Sequence, residues 1–480
     1  MTAGTPADAV LAELAALREA DLPTQGGRTL AYVYDSGLPD VDTLAARAHA
    51  LAASANGLDP TAFPSLLRME NDLVGAAARL LGGDAGTAGS VTSGGTESCL
   101  LAVLAAREGR REIAEPSMVV PTTAHAAFRK AAHLFGVRAV DVPVDPVTFR
   151  ADPRAMAEAI DDTTVLVVAG APSYAHGVVD PVPEIAVAAA ERGVRLHVDA
   201  CIGGWVLPYL RRAGADVPAF DFTVAGVTSI SVDLHKYAYC PKGVSVLLHA
   251  GPDLRRGQYF ASADWPGYPM LNTTLQSTRS GGPLAAAWAV LRHIGDDGYA
   301  RLALDARAAT AWIRDGVEVI DGLRVLGEPQ STLLAVALDG EPGFDLFTVA
   351  DEMAERGWYV QPQFAHGDSP ANLHLTITAA NRGNEPALLA ALEAAVAAAR
   401  DAGPVEVDAG VEALLAALDP DRLTAEEFAG LLAAARLAGD GGLPSRMAEI
   451  NALLAVAPAR LRERLLLEFL GLLYRPSAGA

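Results

Sequence analysis

The stretch SISVDLHKYAYCPKG, residues 229–243, holds two of the three lysines in a chain of 480 residues. The other 34 of its 37 basic residues are arginines, so arginine is expected at almost all solvent-exposed basic positions. A lysine amine can form an imine once burial or a neighbouring cation lowers its pKa, whereas a guanidinium group stays protonated. An isolated His235-Lys236 pair would more often be a solvated strand end. The rest of the chain favours covalent chemistry at Lys236.

Short apolar strands alternate with helices from Met118 onward, which predicts a mostly parallel sheet covered by helices on both faces. Ligands of such sheets bind at the carboxyl ends of the strands. The Gly94-Gly95-Thr96 turn, Asp199 and Lys236 are all predicted to lie at this edge. The expected fold class is therefore α/β.

Residues 90–98, SVTSGGTES, lead into a helix predicted over 97–107. Free backbone N–H groups and the helix dipole make such a start a cradle for an anion, for example a cofactor phosphate. An ordinary capped helix, with Thr96 and Glu97 as the cap, explains the pattern equally well. A second turn of this type, residues 278–282 (TRSGG), is a second candidate anion site.

Asp199 ends the apolar strand predicted over 196–199. A carboxylate there either caps the next helix or faces a ligand, and opposite a pyridine nitrogen it would keep that nitrogen protonated. His125 similarly either stacks on such a ring or caps its own helix, predicted over 124–135. His197, between two apolar residues, is expected in the core.

Composition limits the classes of partner. The net charge of −21 and a calculated pI of about 4.8 argue against nucleic acid and anionic membranes as general partners. Cys99, Cys201 and Cys240 have neither metal-ligand spacing nor a disulfide framework, which suits a reducing cytoplasm. The amino terminus lacks the basic segment of a signal peptide, and no apolar run approaches the roughly 20 residues of a membrane helix.

The pattern divides the chain into four predicted regions. The regions are an N-terminal helical arm (1–60), a large domain (61–300), a small α+β domain (301–403) and a helical C-terminal extension (404–480). Helices are expected at 283–294 and 299–316, near the boundary between the large and the small domain, and a strand is expected at 358–361. The C-terminal extension carries no readable chemistry, so packing or burial in a dimer is its expected role.

Four motifs follow one another in a fixed order: SGGTES, HAAF, HVDAC and HK. In this order they resemble the group II decarboxylase family of fold-type I pyridoxal phosphate (PLP) enzymes and, within it, the sphingosine-1-phosphate lyases. The resemblance covers roughly residues 30 to 400. It implies a large PLP-binding domain of the aspartate aminotransferase type, a smaller α+β domain, and a homodimer with active sites at the interface.

The resemblance also implies roles for the residues that carry it. Lys236 would hold PLP as a Schiff base, Asp199 would pair with the pyridine nitrogen, and His125 would stack on the ring. The implied contacts of the cofactor phosphate are Gly95, Thr96, His235 and, from the other subunit, Thr278.

Three further residues, Tyr34, Asp59 and Lys242, fall where the family handles the phosphate of its substrate. Asp59 occupies a position where the lyase pattern has histidine. Two like charges about 4 Å apart at an effective dielectric near 20 repel by roughly 4 kcal/mol. If Asp59 faces the ligand, the substrate is expected to lack a terminal phosphate. Alternatively, Asp59 caps a helix that starts near Thr61.

The expected activity is that of a PLP-dependent carbon–carbon lyase that acts on an amine-bearing substrate and releases an aldehyde. The alternative is a PLP-dependent L-amino-acid decarboxylase, because one scaffold hosts both reactions. A third hypothesis is a non-catalytic PLP-fold scaffold that binds partners through its helical tail. The presence of Lys236, Asp199 and His125 argues against it, because a scaffold needs none of them.

Overall fold

The central element of the computed structural model, which describes residues 4–434 and 446–474, is a seven-stranded sheet. Its strands are β1 (Ala88–Thr92), β2 (Ser117–Pro121), β3 (Arg138–Val142), β4 (Thr164–Gly170), β5 (Arg195–Asp199), β6 (Val227–Asp233) and β7 (Ser245–His249). They lie in the order β1-β7-β6-β5-β4-β2-β3, and only β7 runs antiparallel to its neighbours. The predicted mostly parallel α/β sheet is confirmed.

Helices cover this sheet, and its strands are buried along most of their length; Val167, Leu196 and Ile230 are fully buried. Helix α5 begins at Ala127, three residues later than predicted, and ends at Gly136, whose φ of 63° suits glycine. The helices of this region are α1 (Ala7–Leu17), α2 (Pro39–Ala52), α3 (Pro64–Leu80), α4 (Gly95–Glu108), α5 (Ala127–Phe135), α6 (Pro153–Glu158), α7 (Val182–Glu191), α8 (Gly203–Arg212) and α9 (Pro252–Arg255).

Helix α10 (Gly282–Val317) joins the large sheet to a smaller one. Two helices were expected here, and the separation between them is reduced to one kink at Gly295, with φ 65° and ψ 175°. The residues that follow β7 also form a short hairpin that the sequence pattern does not indicate, β8 (Phe260–Ser262) and β9 (Met270–Asn272).

The smaller sheet is wholly antiparallel, in the order β10-β11-β13-β12. Its strands are β10 (Leu323–Val325), β11 (Leu333–Leu338), β12 (Gln361–Gln363) and β13 (Asn372–Thr376), and its helices are α11 (Leu346–Glu355) and α12 (Glu385–Ala402). The strand expected at 358–361 therefore lies slightly later in the chain. Val336, Leu373 and Leu392 pack in its core.

The segment before α2 runs along this smaller sheet. The Leu30 N–H donates to the carbonyl of Tyr359 at 2.8 Å, and the Thr376 N–H donates to the carbonyl of Leu30 at 2.6 Å. These bonds place Tyr34 beside Tyr237. The two rings meet edge-on, with their centroids 5.1 Å apart. Residues near the amino terminus thus reach the neighbourhood of Lys236.

The C-terminal region is helical. The carboxylate of Asp351 in α11 accepts hydrogen bonds from the backbone N–H groups of Met447 and Ala448, each at 2.9 Å, and so attaches the start of α15 to the small domain. In the described part of the chain, no helix is both long and apolar enough to cross a membrane. The helices here are α13 (Ala409–Ala417), α14 (Ala425–Ala434), α15 (Ala448–Val456) and α16 (Ala459–Leu473).

Candidate active site

A cavity of about 370 Å³ opens at the carboxyl ends of the parallel strands. Asp199 is the last residue of β5 and Asp233 is the last residue of β6, and both line it. Lys236, His235 and His125 line the same cavity. The structure therefore brings together the residues that the motifs predicted from four separate stretches of sequence.

Lys236 lies with its Nζ atom 3.1 Å from the Oδ2 atom of Asp233. Removal from water is the largest single effect and lowers the pKa of Lys236, but Asp233, Tyr34, Cys201 and Asp199 together outweigh it. The pKa is therefore raised above its ordinary value. Burial acts in the expected direction, and the neighbouring acidic groups, Asp233 first, hold the proton on Nζ.

Asp233 is a residue of this site that sequence reasoning did not single out. Its side chain is buried, its Oδ2 atom lies 3.5 Å from Nε2 of His235, and its Oδ1 atom has no hydrogen-bond partner. The available signal was positional: like Asp199, it is an acidic residue at the carboxyl end of an apolar parallel strand. Adjacent parallel strands end at the same edge of a sheet, so the two carboxylates share one cavity.

Asp199 is held by its own protein neighbours. Its Oδ1 atom accepts from the Cys201 N–H at 3.1 Å and from the Ser231 hydroxyl at 3.4 Å. Burial raises the pKa of Asp199, but the neighbouring His125 and Lys236 outweigh burial, and the pKa is lowered overall. Asp199 is therefore a carboxylate at neutral pH, which is the state that would keep a pyridine nitrogen protonated.

The start of α4 forms the predicted anion cradle. Thr96 is exposed and lines the cavity together with Gly95. A Cβ atom on Gly95 would lie 2.6 Å from Asp233 Oδ2, so only glycine allows the helix to start here. Glu97 is buried and accepts from the backbone N–H groups of Ser93, at 2.7 Å, and Leu275, at 2.9 Å. The structure thus shows capping bonds from Glu97 alone, and anion binding at Gly95 and Thr96 stays a prediction.

Of the two roles considered for His125, the structure shows the helix cap, and stacking on a cofactor ring stays a prediction. Its Nδ1 atom accepts from the Ala127 N–H at 3.2 Å and so caps α5, while the residue lines the cavity and meets Tyr174 edge-on at 6.4 Å. His235 is largely removed from water, which lowers its pKa although Asp233 opposes the shift. His235 is therefore a neutral ring beside the cradle.

Thr278 does not line the cavity that contains Lys236. It is exposed, and it lines a second cavity of about 450 Å³ formed by the α3 region, β1 and the segment before α10. Ser93 lines both cavities. Within one chain, the two predicted anion sites are therefore neighbours but separate.

Two of the predicted substrate residues lie together. The Lys242 Nζ atom donates to the Tyr32 carbonyl at 2.7 Å and sits 5.0 Å from the centre of the Tyr34 ring. Desolvation, followed by the charge of Lys236, lowers the pKa of Lys242 to about 8. Burial raises the pKa of Tyr34 against the opposing charge of Lys236.

Asp59 does not join them. Its exposed carboxylate accepts from the N–H and the hydroxyl of Thr61, at 2.8 and 2.6 Å, and these bonds lower its pKa. Like Tyr34 and Lys242, it lines neither of the two cavities. It closes a turn that precedes α3, which begins at Pro64, so the helix expected near Thr61 starts three residues later.

A buried cluster behind Asp199 was not indicated by sequence spacing. Ligand atoms of Cys99, Asp199 and Cys201 all lie within 4.8 Å of one another. The pKa values of both thiols are raised by burial and by the nearby carboxylates, although a hydrogen bond between the thiols lowers that of Cys99 and raises that of Cys201. The two cysteines are therefore neutral thiols in the wall of the cavity.

The residues present fit PLP. A lysine, a carboxylate, an imidazole and a helix amino terminus complement its aldehyde, ring nitrogen, ring face and phosphate in turn. Several lining residues also have a buried polar atom without a hydrogen-bond partner, which a polar ligand would satisfy. In the described chain these atoms are Thr123 Oγ1, Ser173 Oγ, Asp233 Oδ1 and His235 Nδ1.

Comparison with known families agrees with this arrangement. A family model described as the pyridoxal-dependent decarboxylase conserved domain matches residues 31–318. The chain belongs to the pyridoxal-dependent decarboxylase family. The predicted family, fold class and cofactor, pyridoxal phosphate, are thereby confirmed. A second model, described as "Pyridoxal-dependent enzyme, C-terminal putative HTH domain", matches residues 409–472.

Individual members of the family are similar over most of this chain. Sphingosine-1-phosphate lyase of Dictyostelium discoideum is 37% identical over 355 residues, which cover 74% of this chain and 66% of that protein. A "Probable L-tyrosine/L-aspartate decarboxylase" of Methanothermobacter thermautotrophicus is 33% identical over 70% of this chain and 88% of its own length. The chain thus spans about two thirds of the length of the Dictyostelium lyase.

Among solved structures, a sphingosine-1-phosphate lyase of Burkholderia pseudomallei superposes with a TM-score of 0.78 at 37% sequence identity. The match covers 84% of this chain and 93% of that one. The similarity therefore extends beyond the large domain.

Proposed function

We propose that this protein is a PLP-dependent carbon–carbon lyase that cleaves an amine-bearing substrate and releases an aldehyde. The observation that carries the proposal is its similarity to the Burkholderia sphingosine-1-phosphate lyase, at 37% identity over 93% of that structure. The cavity supports it, because the groups that such chemistry requires converge there on Lys236.

Each group has a separate task in this proposal. When bound, the cofactor supplies an electron sink for the bond that breaks. Lys236 attaches the cofactor, Asp199 keeps its ring nitrogen protonated, and His125 stacks on its ring. Its phosphate is bound at the start of α4 by Gly95, Thr96 and His235.

Asp233 influences the protonation state of the Lys236 amine. Nζ is a nucleophile only as the neutral amine, and the raised pKa of Lys236 means that the proton must leave first. The Oδ2 atom of Asp233, 3.1 Å away, stabilises the protonated amine and so opposes this loss. Asp233 therefore serves as the counter-charge of the Lys236 ammonium group.

The substrate side favours an anionic headgroup. Lys242 and Tyr34 lie together near Lys236 and offer a cation and a phenol. The prediction that the substrate lacks a terminal phosphate required Asp59 to face it. Because the Asp59 carboxylate is engaged with Thr61, that argument loses its basis. A phosphorylated amine is the class of substrate that we propose.

A specific observation also favours the alternative, an L-amino-acid decarboxylase. The Methanothermobacter relative is named as a probable decarboxylase, and the match covers 88% of its length. The two reactions differ in which bond to the amine-bearing carbon breaks. The products are an aldehyde and an amine in the first case and carbon dioxide in the second.

The test is a panel of substrates given to the protein loaded with PLP. Sphingosine 1-phosphate and its unphosphorylated form represent the lyase, and L-tyrosine and L-aspartate represent the decarboxylase. We expect aldehyde from the phosphorylated amine. Carbon dioxide from an amino acid without aldehyde from any amine would establish the alternative, and neither product from any substrate would leave the scaffold hypothesis.

We further propose a homodimer in which Thr278 of each subunit serves the cofactor phosphate of the other. The support is the exposure of Thr278 in a cavity that borders the catalytic one at Ser93. Mixed dimers of Lys236→Ala and Thr278→Ala chains contain one intact composite site, so they should recover activity that neither parent has. Verified mixed dimers without activity would contradict this arrangement. Cytoplasmic location and a lack of nucleic-acid partners stay predictions.

A further inference from the structure

The buried face behind Asp199 contains two serines and a histidine that the proposed chemistry does not use. Strands β5 and β6 pair in parallel, with His197 opposite Ser229 and Asp199 opposite Ser231. Side chains two residues apart in a strand point to the same face, so all four lie on one face of the sheet. His197 and Ser231 are completely buried there.

These side chains form an unbroken series of contacts. His197 Nδ1 lies 2.9 Å from the Ser229 oxygen, and His197 Nε2 lies 3.2 Å from the Ser231 oxygen. The Ser231 oxygen lies 3.4 Å from Asp199 Oδ1. The thiol of Cys201 also donates to Ser231, at 3.2 Å.

The number of available protons determines which atom donates in each hydrogen bond of this series. An ionised carboxylate only accepts, so the single proton of Ser231 goes to Asp199. Ser231 must then accept from His197 Nε2–H, which leaves Nδ1 to accept from Ser229. This requires a neutral imidazole, and burial lowers the pKa of His197 to about 4 although the charge of Asp199 opposes the shift.

We propose that Ser231 and His197 are positioning residues for the cofactor: their directed hydrogen bonds fix Oδ1 of Asp199 and leave its Oδ2 atom for the ring nitrogen. In the described ranges, 4–434 and 446–474, Oδ1 accepts two protein hydrogen bonds and Oδ2 accepts none. A carboxylate fixed in this way cannot turn away from the ring. The inference rests on the proposed role of Asp199 and extends it to two residues that do not touch the cofactor.

The test compares two ligands on the apoprotein. One is PLP, and the other is its deaza analogue, in which carbon replaces the ring nitrogen while the aldehyde and phosphate remain. Dissociation constants are measured from the absorbance of the bound ligand and from the quenching of protein fluorescence. A residue that acts through Asp199 on the ring nitrogen affects only PLP, whereas a general loss of structure affects both ligands.

For Ser231→Ala we expect affinity for PLP to fall about tenfold, the typical effect of losing a hydrogen bond to a charged group. Affinity for the deaza analogue should change by less than about twofold. Ser117→Ala is the matched control, because it removes a buried strand hydroxyl that bonds Thr163 and Thr164 instead. It should alter neither affinity.

Equal weakening of both ligands by Ser231→Ala, or no weakening of either, would overturn the inference. If Ser231→Ala does not fold, the PLP affinities of His197→Leu and His197→Gln test the inference instead. Gln retains an N–H donor for Ser231 and should recover most of the affinity for PLP that Leu loses. Equal affinities in these two variants would reject the role of His197.

Asp199→Asn separates this inference from the proposal beneath it. If Asp199→Asn weakens PLP and the analogue equally, the assignment of Asp199 to the ring nitrogen fails and the positioning role fails with it. If Asp199→Asn discriminates between the ligands but Ser231→Ala does not, only the positioning role is overturned.

Discussion

The residues proposed for the cofactor and those proposed for the substrate differ in how they are held. On the cofactor side, His197, Asp199 and Ser231 lie on adjacent strands, and hydrogen bonds link them in sequence. On the substrate side, Tyr34 and Lys242 come from loops, and part of the Lys242 side chain remains in contact with solvent. Preorganised groups on rigid strands give large effects when removed, while exposed loop groups give small ones. The predictions below test that contrast.

The largest effect is expected for Lys236→Ala. Loss of the covalent attachment should abolish the visible absorbance of the bound cofactor and lower kcat on the order of a thousandfold. Borohydride reduction followed by peptide mass spectrometry should locate the cofactor on Lys236. Lys242→Ala is the control and should keep the absorbance; finding the label on Lys242 would refute the assignment.

Asp199→Asn should retain the fold and some PLP but lower kcat roughly a hundredfold. Protonation of the ring nitrogen matters most in the transition state, so the loss should appear in kcat more than in KM. Steady-state kinetics at saturating PLP measure this. A variant with the parental kcat would remove Asp199 from the site.

Asp233→Asn should speed uptake of PLP by the apoprotein about tenfold at pH 7. The charge of Asp233 raises the pKa of Lys236, so loss of that charge lowers it, and each pKa unit changes the neutral fraction about tenfold. In the parent, uptake should accelerate as pH rises, because Lys236 deprotonates toward high pH. Stopped-flow absorbance between pH 6 and 9 follows this, and an unchanged pH profile in the variant would contradict it.

Asp59→His should have the smallest effect. Its carboxylate is exposed and bonded to Thr61, so the preference for phosphorylated over unphosphorylated amines should change by less than about threefold. Lys242→Ala should reduce that preference more. The measurement is the ratio of kcat/KM values for the two amines. A gain above tenfold in Asp59→His would mean that Asp59 faces the substrate after all.

Prediction from sequence succeeded where a short motif indicates both the residue and the edge of the sheet at which it lies. Lys236 and Asp199 each stand at the end of a recognisable apolar strand, and Gly95 opens a helix, so their common edge follows from a parallel sheet. His197 was expected to be buried, and it is. The break expected between the helices at 283–294 and 299–316 is present but short, because the non-helical Gly295 alone interrupts α10.

What the sequence did not reveal depends on register and distance. The contact between Asp199 and Ser231 exists only because β5 and β6 pair in one register, across 32 residues. A slip of one residue would turn Ser231 to the other face. The direction of Asp59 was equally unpredictable, because a turn residue can bond to its own backbone or face outward.

The segment that carries Tyr34 has a consequence for how the molecule is made. Leu30 is bonded to Tyr359 and Thr376, more than 300 residues later in the chain. Contacts of such long sequence separation close late, because loop-closure entropy must be overcome first. Domains of a growing chain fold from the amino terminus as they emerge from the ribosome. The cofactor side can therefore assemble during synthesis, whereas Tyr34 must wait until the small domain has emerged.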